Sequence, residues 1–68
     1  MEGDRFKWEV VSLTDGVQQA MGWAPTIHEA KPEAMRYGYL YSLDGPVRVL
    51  VTLWNGRSRR KVIDVTIK

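Results

Sequence analysis

The residues best suited to chemistry or binding lie in one stretch, LWNGRSRRK, at residues 53–61. It combines a tryptophan, an Asn-Gly turn signal and a dense group of basic side chains. Because Lys and Arg neutralise nucleic-acid phosphates and an aromatic ring stacks on an unpaired base, this composition indicates nucleic-acid binding. A twisted β-ribbon is also narrow enough to enter the major groove of DNA. The candidate nucleic-acid-binding residues are Arg48, Trp54, Arg57, Arg59, Arg60 and Lys61.

The composition does not favour a catalytic site or a metal site. The chain has no cysteine, which removes thiolate nucleophiles, zinc–thiolate sites and disulfides together. Its single histidine, His28, falls in an expected first helical turn, where Glu29 is explained by helix capping. The serines lack the G-x-S-x-G context of a nucleophile elbow, and the glycines form no phosphate-binding loop. We therefore expect a non-enzymatic protein without a cofactor or a metal site.

Length and charge narrow the class of protein further. Sixty-eight residues make one small domain, residues 1–68, of which residues 1–4 are expected to fray. No apolar run approaches the roughly 20 residues that cross a bilayer, and the charged N-terminus does not resemble a signal peptide. A cytoplasmic protein is therefore expected. The formal net charge of +2 is mild, which leaves open the alternative that the basic group only blocks edge pairing and keeps the hairpin soluble.

The chain is predicted to begin with a β-hairpin. Residues 6–13 and 17–24 alternate β-branched or aromatic residues with polar ones, as half-buried strands do. The Thr-Asp-Gly sequence between them has turn chemistry, because Asp-Gly tolerates a positive φ. Gly22 weakens a strand interior, which indicates a bulge or a close approach of the backbone to the helix. Trp8 and Trp23 are both expected to lie mostly in the core.

A helix is expected after this hairpin. Thr26 and Glu29 have the S/T-x-x-E spacing of a capping box. At about 100° per residue, small and apolar side chains fall on one stripe, which predicts a buried face. The stripe comprises Ile27, Ala30, Ala34, Tyr37, Gly38 and Tyr41. Pro32 implies either a kink or a separate first turn. The helix ends either at Gly38 or, as the stripe favours, near Asp44.

A second hairpin is predicted from residues 46–54 and 60–67. Its apolar rows are Val47, Val49, Val51 and Leu53 on one strand and Ile63, Val65 and Ile67 on the other. A two-residue Asn55-Gly56 loop would pair Val51 with Arg60 and Val47 with Asp64. Because side chains alternate with period two, a shift of one residue brings the two apolar rows together instead. One solution is a three-residue loop at residues 54–56, which lifts Trp54 to the tip and pairs Val47 with Ile63. The other is a bulge within residues 57–60, which sets Val49 beside Ile63.

Together these elements predict an α+β fold in ββαββ order, with a four-stranded antiparallel sheet packed on one helix. The leading function is a small non-enzymatic nucleic-acid-binding module of accessory or regulatory type in bacteria or phages. The alternative is a protein-interaction or inhibitor module, acting as a homodimer through an edge strand or the half-apolar sheet face away from the helix. The candidate interface residues are Leu50, Thr52 and Val62 on that sheet face, with Met35 and Tyr39, which lie off the buried stripe of the helix beside His28, as a second contact patch. The same sheet face is expected to carry Arg48 and Arg60.

Overall fold

Four strands and one helix make up the computed structural model, which describes residues 5–68; the predicted fraying of residues 1–4 lies outside the described residues. The elements are β1 (Arg5–Ser12), β2 (Gln18–Ala24), α1 (Ile27–Tyr41), β3 (Val47–Asn55) and β4 (Ser58–Ile67), with a short 3₁₀ helix at Ser42–Asp44. The strands form one antiparallel sheet in the order β2-β1-β3-β4, and α1 packs against one face of it. The predicted ββαββ fold is therefore confirmed. Within this part of the chain, no helix is long and apolar enough to cross a membrane.

The first hairpin turns where the Asp-Gly pair predicts. Gly16 has a φ of 76°, in the left-handed region that glycine adopts without strain. The Asp15 Oδ1 atom accepts a hydrogen bond from the Val17 amide at 3.0 Å, an Asx-type bond that closes the turn. As a result β2 begins at Gln18, one residue later than expected.

The core lies between α1 and the strands β2, β1 and β3. Its most enclosed side chains are Val10 on β1, Val47, Val49 and Val51 on β3, and Ala30 and Ala34 on α1. Burial of one valine-sized side chain stabilises a fold by about 1.5–3 kcal/mol, so this row of valines supplies much of the driving force. The small helix residues bring the backbone of α1 close to the sheet.

The helix follows the longer of the two predicted courses. The Thr26 Oγ1 atom accepts a hydrogen bond from the Glu29 amide at 3.3 Å, which caps the first turn. The helix then runs without interruption through Pro32 to Tyr41, so a separate first turn is wrong. Gly38 does not end the helix. A Cβ there would lie 2.5 Å from the Val49 Cγ2 atom, so the glycine is required for close packing on β3.

Gly22 also marks a close approach, but to a side chain of the neighbouring strand rather than to the helix. A Cβ at this position would lie 2.6 Å from the indole ring of Trp8, which occupies the space over β2. On its other side the ring stacks on Tyr37, with centroids 5.1 Å apart and an interplanar angle of 13°. The Trp8 Nε1 atom donates a hydrogen bond to Glu33 Oε1 at 3.0 Å. Trp8 on β1 therefore contacts both β2 and α1.

The second hairpin contains an irregularity that shifts the strand register by one residue, as the apolar rows require. It lies neither in a three-residue loop at residues 54–56 nor in a bulge within residues 57–60, so both predicted positions are wrong. The loop is Gly56-Arg57, closed by the pair of Asn55 and Ser58. Gly56 has a φ of 59° and Arg57 has no positive φ, the pattern of a type II′ turn. Trp54 consequently stays in β3 and is not lifted to the tip.

The irregularity lies further along, between Val51 and Thr52. Val51 pairs with Ile63, and Thr52 pairs with Lys61, which leaves Val62 as the extra residue of a bulge on β4. Beyond the bulge Val49 faces Val65, and Val47 faces Ile67. The predicted three-residue loop would have paired Val47 with Ile63, and the predicted bulge would have paired Val49 with Ile63. The bulge thereby aligns the two apolar rows while keeping a short loop.

Candidate nucleic-acid interface

The sheet face opposite α1, here called the open face, carries two rows of basic and aromatic residues at the end nearest the Gly56-Arg57 loop. Cross-strand pairing aligns Arg5 on β1 with Trp54 on β3, and Trp54 with Arg59 on β4. The next row on this face aligns Trp23, Lys7, Thr52 and Lys61 across all four strands. Side chains of directly paired residues lie on the same face, so the register itself assembles these rows.

Two tryptophans stand at the centre of these rows. The rings of Trp23 and Trp54 meet edge to face, with centroids 5.2 Å apart and an interplanar angle of 74°. The Arg59 guanidinium lies 3.5 Å from the Trp54 ring centroid, and the Arg5 guanidinium lies 5.1 Å from that of Trp23. The Lys7 ammonium is 5.9 Å from the Trp23 centroid and 5.7 Å from the Trp54 centroid. We call these five residues the cation–tryptophan cluster.

The two tryptophans differ in their exposure. Trp23 is 40% exposed, whereas Trp54 is partly buried beneath Arg59. The Trp54 Nε1 atom is buried and has no acceptor among the described residues. A buried donor without an acceptor costs about 1–3 kcal/mol. The cluster therefore combines an accessible aromatic surface with an unsatisfied hydrogen-bond donor.

Charge on the rest of the open face is balanced by Asp64. Arg48 donates to both carboxylate oxygens of Asp64, at 2.8 Å from Nε and 2.6 Å from the terminal nitrogen, and Lys61 Nζ donates at 3.1 Å. Hydrogen bonds from Arg48 and then Lys61 hold the pKa of the Asp64 carboxyl far below its ordinary value. Asp64 thus stays ionised and draws both cations toward itself, away from the cation–tryptophan cluster.

Only part of the predicted binding set shares the open face. Trp54, Arg59 and Lys61 lie together there, and Arg48 lies further along the face. Arg60 pairs with Leu53, which places it on the helix side of the sheet, so its predicted position on the open face is wrong. Arg57 lies in the loop, where its carbonyl oxygen accepts a hydrogen bond from Arg59 at 3.0 Å.

Three members of the cation–tryptophan cluster are not among the binding residues predicted from the sequence. Trp23 was expected in the core, but only Trp8 is buried there. No local motif marks Arg5 and Lys7, although their spacing of two residues places them on one face of a strand. Their importance depends on the pairing of β1 with β3, which no local sequence signal reveals.

The predicted protein-interface residues are distributed over β3, β4 and α1. Leu50 and Thr52 are partly buried on β3, and Leu50 stands between Glu9 and Asp64, so carboxylates interrupt the predicted apolar patch. Val62 is 40% exposed at the bulge. On α1, Tyr39 is 60% exposed, whereas Met35 is half-buried and packs against the core.

Within residues 5–68, no group of three or more His, Asp or Glu side chains is arranged to hold a metal ion. His28 lines a shallow groove between β2 and α1, together with the carboxylates of Glu29 and Glu33. Comparison of the chain with protein-family models, curated proteins and solved structures finds no match. Function is therefore inferred from the geometry of the chain itself.

Proposed function

We propose that this chain is a non-enzymatic module that binds single-stranded nucleic acid on the open face, through the cation–tryptophan cluster. The observation that carries the proposal is the contact of two tryptophans on an open sheet face with three cations at cation–π distance. Single-stranded nucleic acids bind to such surfaces because bases stack on aromatic rings while cations hold the backbone phosphates. An accessory or regulatory role in the cytoplasm of bacteria, or of phage-infected bacteria, fits a module of this size.

The position of Trp54 favours an unpaired strand over duplex DNA. In a duplex the base edges in the major groove are read by side-chain hydrogen bonds, whereas aromatic rings stack on unpaired bases. Here Trp54 lies within β3, one pair away from the closing pair of the hairpin, and Arg60 turns to the opposite sheet face. The aromatic and basic groups instead share one surface, across which an extended strand of nucleotides lies.

Base stacking and phosphate contacts are stronger than the cation–π contacts that they would replace in the cluster. A cation–π contact at an exposed site contributes about 0.5–1 kcal/mol. Stacking of one base on an aromatic ring contributes about 1–3 kcal/mol, and each phosphate contact adds the release of counterions. Arg5 therefore leaves the Trp23 ring to a base and turns to a phosphate. The same movement by Arg59 uncovers Trp54, whose Nε1 donor then meets a base or phosphate oxygen.

Arg59→Ala is expected to weaken binding of a short single-stranded DNA or RNA oligonucleotide about three- to tenfold, since an exposed ion pair contributes up to about 1 kcal/mol. The slope of log affinity against log salt should become shallower by about 0.7, the value for one phosphate contact on a single strand. Affinity is measured at several salt concentrations by fluorescence anisotropy of a labelled oligonucleotide.

Arg60→Ala is the matched control, because it removes the same charge one residue away but on the helix side of the sheet. It should leave most of the affinity in place. Equal losses in the two variants would contradict a site on the open face, and no binding even at low salt would contradict the proposed function as a whole.

Asp64→Asn is expected to raise oligonucleotide affinity about three- to tenfold, because it removes a negative charge and releases Arg48 and Lys61 to contact phosphates. The salt dependence should steepen at the same time. Asp44→Asn, in the exposed 3₁₀ helix at the end of α1, makes the same change in net charge away from the open face. If both variants gain equally, net charge and not the open face controls binding.

A further inference from the structure

The edge strand β4 carries an apolar row that the helix leaves partly uncovered. α1 packs mainly against β1, β3 and β2, whereas β4 lies beyond β3 at the edge of the sheet. Ile63 and Ile67 are partly buried, and Val65 between them is 37% exposed. The outer side of such a strand also presents backbone amides and carbonyls that can pair with another strand.

Protection against edge pairing is confined to one half of β4. Proteins block exposed edges with charged side chains and bulges. Residues 59–61 of β4 are Arg-Arg-Lys, and the bulge at Val62 follows them. Beyond the bulge, residues 63–67 contain neither lysine, proline nor a second irregularity, and their one charged side chain, Asp64, is bonded to Arg48 and Lys61 on the open face. This half of the strand is left able to pair.

The unprotected half is complementary to itself. In an antiparallel pair centred on Val65, Val65 meets Val65 of the second copy, Ile63 meets Ile67, and Asp64 meets Thr66. A centre moved to Asp64 sets two carboxylates opposite each other, and a centre at Ile63 sets Lys61 against Val65. A centre moved to Thr66 keeps the contact of Val65 with Ile67 but shortens the paired segment. The register centred on Val65 is therefore preferred.

The helix adds to the same surface. A Cβ on Gly38 would point at Val49 and Ile67, so this side of α1 faces β3 and β4, whereas Tyr37 faces Trp8 on the other side. By helical periodicity Met35 and Tyr39, four residues apart, lie on the side toward β4. Tyr39 is 60% exposed, so an aromatic ring flanks the uncovered apolar row.

We propose that two copies of this chain form a homodimer by antiparallel pairing of residues 63–67 of β4. The two sheets then join into one, with both helices on the same face and the Tyr39 side chains above the shared apolar row. The partner is a second copy because residues 63–67 pair with the same residues of another chain and align their apolar side chains. The two open faces also become continuous, but dimerisation rests on β4 and does not require nucleic-acid binding.

Val65→Lys tests the proposal by placing two ammonium groups opposite each other at the dimer axis, while the exposed site tolerates lysine in the monomer. Sedimentation equilibrium should show wild-type mass rising from 7.8 kDa toward twice that value with concentration. The dimer dissociation constant should increase at least about tenfold in Val65→Lys. Val17→Lys, the same change in the loop between β1 and β2, should dimerise like wild type. Circular dichroism confirms that each variant is folded.

Val65→Cys provides a second measurement, because the native chain has no cysteine. Under mild oxidation this variant should form a disulfide-linked dimer faster than Val17→Cys at the same concentration. A wild-type protein that stays monomeric at all concentrations would overturn the proposal. So would a dimer that is unaffected by Val65→Lys and is not cross-linked through residue 65, since it would use another surface.

Discussion

Trp8→Ala is expected to leave most of the protein unfolded at room temperature. The Trp8 side chain is only 3% exposed, fills the space over Gly22, stacks on Tyr37 and donates a hydrogen bond to Glu33. Removing a buried aromatic side chain typically costs about 3–5 kcal/mol. A core in a domain of this size rarely supplies more than about 3–5 kcal/mol of net stability. The loss therefore equals or exceeds the whole free energy of unfolding.

Urea unfolding followed by far-ultraviolet circular dichroism measures this loss, with Trp23→Ala as the matched control. Trp23 is 40% exposed on the open face, so its removal mainly costs the contact with Trp54, about 0.5–1.5 kcal/mol. Trp23→Ala should remain folded and bind oligonucleotides more weakly. If the two substitutions destabilise the protein equally, Trp8 does not have the special role in the core that its contacts assign to it.

Gly38→Ala should destabilise the protein by about 1–3 kcal/mol, although alanine has the higher helix propensity. The new Cβ would lie 2.5 Å from Val49 Cγ2 and 3.0 Å from Ile67 Cδ1, so α1 has to move away from β3. Propensity alone would instead stabilise the helix by about 1 kcal/mol. The sign of the change thus distinguishes close packing from local helix preference.

Val49→Ala makes the test specific, because it removes the methyl group that the new Cβ meets. The double variant should be more stable than the sum of the two single changes predicts, by about 0.5–3 kcal/mol. Chemical denaturation of the four proteins gives this coupling energy. Additive effects would mean that Gly38 and Val49 do not compete for the same space.

The elements of this fold follow from local sequence signals. The Asp-Gly turn, the Thr26 cap and the stripe of Ala30, Ala34 and Gly38 each act within a few residues of the chain. The apolar rows of the second hairpin even show that its register must be reset. The position of the reset was wrong, because a two-residue loop with a bulge and an odd loop both restore the same alternation.

The candidate site is harder to predict because its residues come from all four strands. Pairing of β1 with β2 places Trp8 and Gly22 on one sheet face and Trp23 on the other, and alternation within each strand does not reveal this pairing. Alternation also does not say which face the helix covers. The predicted site therefore consists of the basic residues nearest in sequence to Trp54, while the residues nearest in space include Arg5, Lys7 and Trp23.

The sequence by itself determined the class of this protein: one helix and two hairpins, without cysteine chemistry or a recognisable catalytic motif. Turns, caps and periodicity are local, and their energies are set by neighbouring residues. Only the tertiary structure decided that β1 lies between β2 and β3 and that β4 forms an edge. That order brings Arg5 and Lys7 to the tryptophans and leaves residues 63–67 uncovered. Strand order is non-local, because it depends on how the whole apolar surface is best buried against a single helix.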